Sequence, residues 1–536
     1  VVFWLFMSGD MIAALLISGL VTTLVPGLPG LLIGLTVSVV PQTAAWMFYL
    51  VFSREPNVRD LMLVPDLLAM YGVPPLAPLL VLAALAVLLI ARWRPRRPER
   101  GAWPLLAVWA GVGGVLFGQA FFESPLQIRH VYAAGFAPFQ MVGQWPAFVM
   151  EIGEYLIQRR LLADIRDRPA RSFLDVGLPP LSARSIHVIV MESFWRADRL
   201  SFAMTGEPVF SPPVRALFDQ QGGTALSPVF GNHSGNAEFE ILCGLPAIGQ
   251  EGEIPFKQIR RPLDCLPRKL ADAGWVTVGM VDNDPGVYSV GTAYKLLGFQ
   301  QTRFAADFRH DRNFAAAAQF RQNLEVIAPL LAAGRKVLNY QFVNSGHYPF
   351  LLNDDQPRVV SIASPDDDAL VRHLNLEHYN GAALLAYIQD IRRLDPEAVI
   401  VMTGDHLPLL GTDFATYRLG GIIAADGLAP ADRKALQTTP LLVFRGDRPL
   451  ILTAVPDYLI PEAILEAASD GEFCRNQACG LLQSTYYRSL GLDVLRVDSA
   501  DGSAGFCAAG DATPDCVEPA RWLRQHYGLL LSLYDD

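Results

Sequence analysis

His187-Val188-Ile189-Val190-Met191-Glu192-Ser193-Phe194-Trp195 carries four consecutive apolar residues onto a carboxylate. Far downstream, Ala398-Val399-Ile400-Val401-Met402-Thr403-Gly404-Asp405-His406 does the same. Apolar, β-branched runs without alternation read as strands buried on both faces, as in the parallel sheet of an α/β protein. Open α/β sheets place their sites beyond the carboxyl ends of their strands, and both runs deliver hard ligands there. Glu192 from the first and Asp405 with His406 from the second suit one divalent cation of the Mn, Mg or Zn kind. A strand often ends in polar residues for no such reason, so the expectation rests on the two clusters together.

The chain has 536 residues, 51% hydrophobic and only 18% charged. That is too apolar for an ordinary soluble enzyme, and the excess lies at one end. Met11 to Leu24, Leu28 to Phe52, Leu76 to Ile90 and Trp103 to Phe122 are apolar runs, several near the ~20 residues that cross a bilayer. Residues 1–123 are therefore expected to hold about four membrane helices. Asp10 interrupts the first run and the chain does not open on Met, so whether a segment precedes it is left open; a cleavable signal peptide fits poorly. Arg92, Arg94, Arg96, Arg97 and Arg100 crowd the loop between the third and fourth runs and mark the cytoplasmic side. Everything beyond Phe122 is then extracytoplasmic, tethered to the inner membrane. A net charge of -10 without a basic run in this outer part argues against nucleic acid as a partner.

All six cysteines (Cys243, Cys265, Cys474, Cys479, Cys507, Cys516) fall in the outer part. An even count in an oxidising compartment suggests disulfides. Sequence does not determine their pairing, although neighbours in order is the simplest arrangement. Zinc ligation is the rival, weakened by the lack of a CxxC pair or of nearby histidines. Residues 124–184 read as an amphipathic connector and a polar linker, and residues 185–536 as one large α/β domain. Further strands are expected at Val276 to Val281, Lys336 to Val343 and Leu441 to Phe444. Helical patterns lie between them at Leu263 to Ala273, Phe314 to Leu331 and Asp367 to Leu394. This alternation predicts a mostly parallel sheet flanked by helices.

Between the two ligand-bearing strands lies Gly231-Asn232-His233-Ser234-Gly235-Asn236-Ala237-Glu238-Phe239-Glu240. Ser234, just before an apolar helical run, is placed as a nucleophile at a helix start would be. A metal could lower its hydroxyl pKa there, and nearby backbone N–H groups could bind an anion. The plain alternative is a helix cap. The GxSxG elbow of lipase-type hydrolases and the formylglycine pattern of sulfatases are both absent. Asn344-Ser345-Gly346-His347-Tyr348-Pro349-Phe350 ends another strand, where His347 could meet a substrate phosphate or protonate a leaving alcohol, or be merely structural.

The order strand plus MESFW, SGNAEFEILCGLP, CLPRKLADAGW, NSGHYPF and TGDH, over roughly Ser185 to Gly411, resembles the alkaline phosphatase and sulfatase superfamily. Within it, the membrane-anchored lipoteichoic acid synthase and phosphoglycerol transferase I group is the more specific likeness. The resemblance implies an extracytoplasmic sulfatase-like domain with one Mn or Mg ion, Zn being possible, held by Glu192, Ser234, Asp405 and His406. It makes Ser234 the nucleophile, in place of the group's usual Thr, and His347 a substrate contact. A second departure concerns the loop from Asp282 to Val290. Where the synthases carry a Trp and an Arg on glycerol phosphate, this chain has Tyr288 and Val290, with Asn283 and Tyr288 as replacement contacts.

The activity implied is transfer of phosphoglycerol from phosphatidylglycerol, or a related lipid donor, to an envelope glycan through a covalent serine intermediate. A phosphoethanolamine transferase, a phosphodiesterase or a sulfatase-like hydrolase would use the same metal and nucleophile. A non-catalytic membrane scaffold is the alternative of another class, and the retained Glu192, Ser234, Asp405 and His406 speak against it.

Overall fold

The uninterrupted apolar runs become the centre of one sheet. In the computed structural model the chain divides into two units, Val1–Asp164 and Ile165–Asp536. The structure describes residues 172–248, 255–309, 315–363, 367–411, 414–424, 429–476, 479–489, 494–499, 503–508 and 513–534, with isolated positions between 16 and 111. The expected membrane helices lie outside the described residues. Among the described residues no helix is long and apolar enough to cross a membrane.

The strands are β1 (Ser185–Met191), β2 (Met204–Gly206), β3 (Gly223–Leu226), β4 (Val276–Val281), β5 (Gln301–Arg303), β6 (Val337–Val343), β7 (Val360–Ile362) and β8 (Val399–Gly404). They continue with β9 (Thr438–Arg445), β10 (Arg448–Pro449), β11 (Val455–Pro456), β12 (Thr485–Ser489), β13 (Val494–Ser499) and β14 (Ala504–Ala508). The main sheet runs β11-β3-β9-β8-β1-β6-β4-β5, with β10 beside β9. Strands β8, β1, β6, β4 and β5 are mutually parallel. Strand β9 is antiparallel to both β8 and β3, so the sheet is mixed and mostly parallel.

Every residue of β1 is buried, which explains its lack of alternation. On one face Ile189, Met191, Ile400, Met402, Leu442 and Phe444 pack with residues of two helices, α2 (Ala316–Ala332) and α3 (Asp368–Leu394). Phe320 of α2 stacks on Tyr387 of α3 at 4.4 Å. Each such side chain contributes ~1.5 to 3 kcal/mol when fully buried. Helix α1 (Ser234–Cys243) and helix α4 (Ile460–Ala468) pack together, and α4 also covers β8 and β9.

The register decides the site. Met191 pairs with Val343 on one side and Gly404 on the other, so all three strands end level. Glu192, Asn344 and Asp405 therefore leave the sheet side by side.

The segment 172–184, read as linker, packs on the body that follows it. Phe173 is buried against Gly244, and Lys269 Nζ donates to the carbonyls of Leu174 and Val176 at 2.8 Å. Beyond the main sheet, β12, β13 and β14 form a separate antiparallel sheet, followed by helix α5 (Pro514–Tyr534). Disulfides join Cys243 to Cys265, Cys474 to Cys479 and Cys507 to Cys516, the pairing of neighbours in order.

Candidate active site

Two glycines let three strand ends converge. A Cβ on Gly346 would lie 2.0 Å from the Glu192 carbonyl oxygen, and one on Gly404 would lie 1.9 Å from that of Phe194. Ser193 turns the chain through a left-handed conformation, φ 55°. Its N–H donates to Asp405 Oδ1 and its hydroxyl to Glu192 Oε1, each at 2.7 Å. The His406 N–H donates to the same Asp405 Oδ1 at 2.7 Å. Ser193 thus locks the two carboxylates to each other. It was not singled out from the sequence, although its place directly after Glu192 was a usable signal.

Glu192, Asp405 and His406 are buried, and their ligand atoms all lie within 4.8 Å of one another. His406 Nδ1 faces the Leu407 carbonyl at 3.1 Å. An N–H must sit on Nδ1 to make that bond, which turns the Nε2 lone pair toward the carboxylates. Nε2 lies 3.3 Å from Asp405 Oδ2 and 3.8 Å from Glu192 Oε1. Asp405 Oδ2 is buried without a hydrogen-bond donor. An orphaned carboxylate oxygen in that position is costly unless a cation satisfies it.

Electrostatics agree with that need. Burial, and then the charge of Glu192, push Asp405 well above the usual carboxylate range. Burial also pushes Glu192 upward, but His406, His347 and the Ser193 and Ser234 hydroxyls outweigh it and hold the group low. Burial lowers His406, favouring the neutral imidazole that can serve as a ligand. Two carboxylates and one imidazole nitrogen fit Mn, Mg or Zn.

Ser234 completes the cluster. Its hydroxyl donates to Glu192 Oε2 at 3.1 Å and lies 3.4 Å from His406 Nε2. Ser234 is the first residue of α1, and the capping position belongs to His233, left-handed at φ 64°. The serine hydroxyl is therefore spent on the site rather than on the helix end. The positive end of α1 points at the same place. The loop before it is pinned by Ser227 Oγ donating to the Asp405 carbonyl at 2.5 Å and by Gly231 N–H donating to Leu407 O at 2.9 Å.

The other candidate positions are spread along the same sheet edge. His347 is exposed and near enough to act electrostatically on Glu192 and His406. Its Nδ1 faces the Tyr348 carbonyl at 2.6 Å, leaving Nε2 as the outward nitrogen. Asn283 and Tyr288 are half-buried in the loop after β4, two strands from β1. Asn283 Oδ1 accepts from the Asp284 N–H, a local turn bond. Asn344 Nδ2 links this loop to the end of β6 through the Asp282 carbonyl at 3.2 Å. Val290 is buried at the start of a helix, Val290–Leu297.

One turn into α1, Glu238 Oε2 accepts from the Tyr294 and Tyr340 hydroxyls at 2.6 and 2.8 Å. Burial raises this carboxyl to about 7 despite both bonds. In the sequence Glu238 stands only four positions after Ser234, with no local sign of this bonding.

Comparison with known proteins bears on the fold. Residues 184–448 match the sulfatase family model. A Rhizobium meliloti (strain 1021) protein provisionally named for cyclic β-1,2-glucan modification is 27% identical over 324 residues, covering 57% of this chain and 49% of that protein. The chain thus spans about half the length of that relative. The lipoteichoic acid synthase LtaP from Listeria monocytogenes superposes with a TM-score of 0.51 at 14% identity, over 68% of this chain and 96% of the other. The integral membrane lipooligosaccharide phosphoethanolamine transferase A (EptA) from Neisseria meningitidis gives 0.53 at 12%, over 87% and 89%. At such identities the structural likenesses speak for the fold alone. Over residues 184–448, just under half of its length, the chain is similar to the sulfatase family.

Proposed function

We propose that the chain is a membrane-anchored, metal-dependent phosphoglycerol transferase, its residues 185–536 lying at the outer face of the inner membrane. It would move the head group of phosphatidylglycerol to an envelope glycan. The observation that carries this reading is the Ser234 hydroxyl at a helix start, 3.1 Å from Glu192 and 3.4 Å from His406. Glu192, Ser234, Asp405 and His406 would hold one ion, Mn or Mg before Zn. When bound, such an ion lowers the pKa of the Ser234 hydroxyl and neutralises charge on the phosphoryl oxygens.

Ser234 Oγ attacks phosphorus and gives its proton to the Glu192 carboxylate that it hydrogen-bonds, the Oγ–P bond forms, and the bond from phosphorus to the diacylglycerol oxygen breaks. The departing alkoxide takes up a proton, for which the outward Nε2 of His347 at the mouth is the donor. The N–H groups at the start of α1 face the phosphoryl oxygens. An acceptor hydroxyl then attacks the phosphoglyceryl-serine and restores Ser234, with proton flow reversed. Asn283 and Tyr288, on the neighbouring loop, are the proposed contacts to the head group. The name of the Rhizobium relative supports a glucan-type acceptor.

A second reading is phosphoethanolamine transfer. It is favoured by Val290, whose buried apolar side chain stands where the resemblance places a phosphate-binding Arg. The two are separated by incubating the purified full chain with Mn and labelled phosphatidylglycerol or phosphatidylethanolamine, then weighing the peptide that contains Ser234. A phosphoglycerol adduct supports the first reading and a phosphoethanolamine adduct the second. Ser234→Ala should leave no adduct and no turnover. A folded, metal-binding Ser234→Ala protein that consumes lipid at the wild-type rate removes Ser234 as nucleophile.

A further inference from the structure

The segment from Leu226 to Glu240 carries Ser234, and one buried guanidinium touches both of its ends. Arg488 Nη2 donates to the Leu226 carbonyl, the last residue of β3, at 2.5 Å. Its Nη1 donates to Glu240 Oε1 on α1, also at 2.5 Å. Arg488 comes from β12, beyond the residues that match the sulfatase family. It is buried, and its guanidinium lies 5.4 Å from the centre of the Tyr458 ring.

Glu240 is itself fixed. Oε1 also accepts from the Ala247 N–H at 2.7 Å, and Oε2 accepts from the Tyr458 N–H at 3.1 Å. Asp457 is the second acid facing the guanidinium. Burial and the charge of Glu240 push Asp457 well above the carboxylate range. Burial raises Glu240 as well, against the opposing pull of Arg488. In a buried site a charge-assisted bond from a rigid planar fork fixes geometry better than a flexible ammonium would.

We propose that Arg488 is a positioning residue for the nucleophile. By tying the carbonyl that opens the 226–240 segment to the carboxylate that closes it, the carboxyl-terminal lobe holds the Ser234 hydroxyl against Glu192 and His406. The inference rests on the reading of Ser234 as nucleophile. It assigns the lobe built on β12–β14 a part in catalysis without a contact to substrate.

The test uses the full-length protein with Mn. Arg488→Lys keeps the charge and loses the fork; the double variant Arg488→Met with Glu240→Met removes both charges and keeps volume, which buried pairs often tolerate. Amide exchange of residues 227–238, read without substrate, should quicken at least tenfold in both variants. Exchange in β1 and β8 should hold. With labelled phosphatidylglycerol, kcat should fall ~10²-fold with KM unchanged, as expected for a nucleophile displaced by about an ångström. Wild-type exchange in 227–238 overturns the proposal, whatever happens to kcat. So does a loosened loop with kcat within twofold of wild type. If Arg488→Lys fails to fold, the double variant decides. Wild-type protein as inactive as Ser234→Ala on every lipid defeats the functional reading instead, and the exchange measurement still decides the clamp.

Discussion

Gly346→Ala tests whether the closeness of the strand ends is what makes the site. The added Cβ would sit 2.0 Å from the Glu192 carbonyl oxygen and 3.1 Å from its carbonyl carbon. Even close C–H···O contacts keep about 3.3 Å, so the ends of β1 and β6 must part by about 1.3 Å. Both partners resist. The Glu192 N–H donates to Val343 O at 3.0 Å, and the Asp405 N–H to Met191 O at 3.1 Å, so the displacement passes into the ligands themselves. Overpacking of this kind costs ~1 to 3 kcal/mol of stability. Misplacing a reacting group by an ångström costs ~10²-fold in rate. Denaturant melts, calorimetric Mn titration and lipid turnover should show all three effects, with Mn affinity weakened about tenfold, a loss of ~1.4 kcal/mol. Gly177→Ala, at a glycine with open space around it, serves as control and should stay within about 0.5 kcal/mol. Wild-type Mn affinity and turnover in Gly346→Ala would refute the idea that this close approach sets the ligand geometry.

Chelation should abolish turnover and lower unfolding stability, by ~2.7 kcal/mol relative to protein with metal at a hundred times its Kd; a melt insensitive to added Mn or Mg would contradict the ion site. Glu238 should make stability depend on pH. Its carboxyl is raised from 4.5 to about 7 in the fold, so the folded state holds the extra proton, and stability present below pH 4.5 is lost as pH rises through about 7. The total is roughly 3 kcal/mol, and Glu238→Gln should flatten the profile between pH 5 and 8; an equally steep variant profile assigns the slope elsewhere. Removing the Cys243–Cys265 bridge, which closes a separation of 22 residues, should cost about 3 kcal/mol in denaturant titrations, and a loss under 1 kcal/mol would count against it.

What was legible in the sequence were features carried by local pattern. Strands β1, β4, β6 and β8 announce themselves because both of their faces are buried, which forces continuous apolar runs. Glu192, Asp405 and His406 were readable because they stand at or just past the ends of such runs. Less visible were features that depend on contacts far along the chain. That β9 runs antiparallel has no local signature. The carboxyl-terminal sheet hid because Arg488, Arg496 and Asp498 point inward, and inward charges break the apolar alternation by which strands are recognised. Arg496 and Asp498 satisfy each other at 2.9 Å, and Arg496 also donates to Gln437. Ser193's position after Glu192 could have marked it, but its left-handed backbone could not, since a non-glycine residue there is set by its backbone and side-chain bonds rather than by propensity.

The parallel order β8-β1-β6 has a consequence for biogenesis. A chain emerging from its amino end exposes β1 long before its neighbours exist. His187 meets Asn339 across 152 residues, and Ser193 meets Asp405 across 212. Until then β1 is an apolar strand with two open edges, the kind of segment that misassembles. Long-range pairing also slows folding, because the loop must close before its contacts reward it. Synthesis stalled or truncated short of His406 therefore leaves a sticky strand awaiting partners, and a holdase has β1 as its natural target.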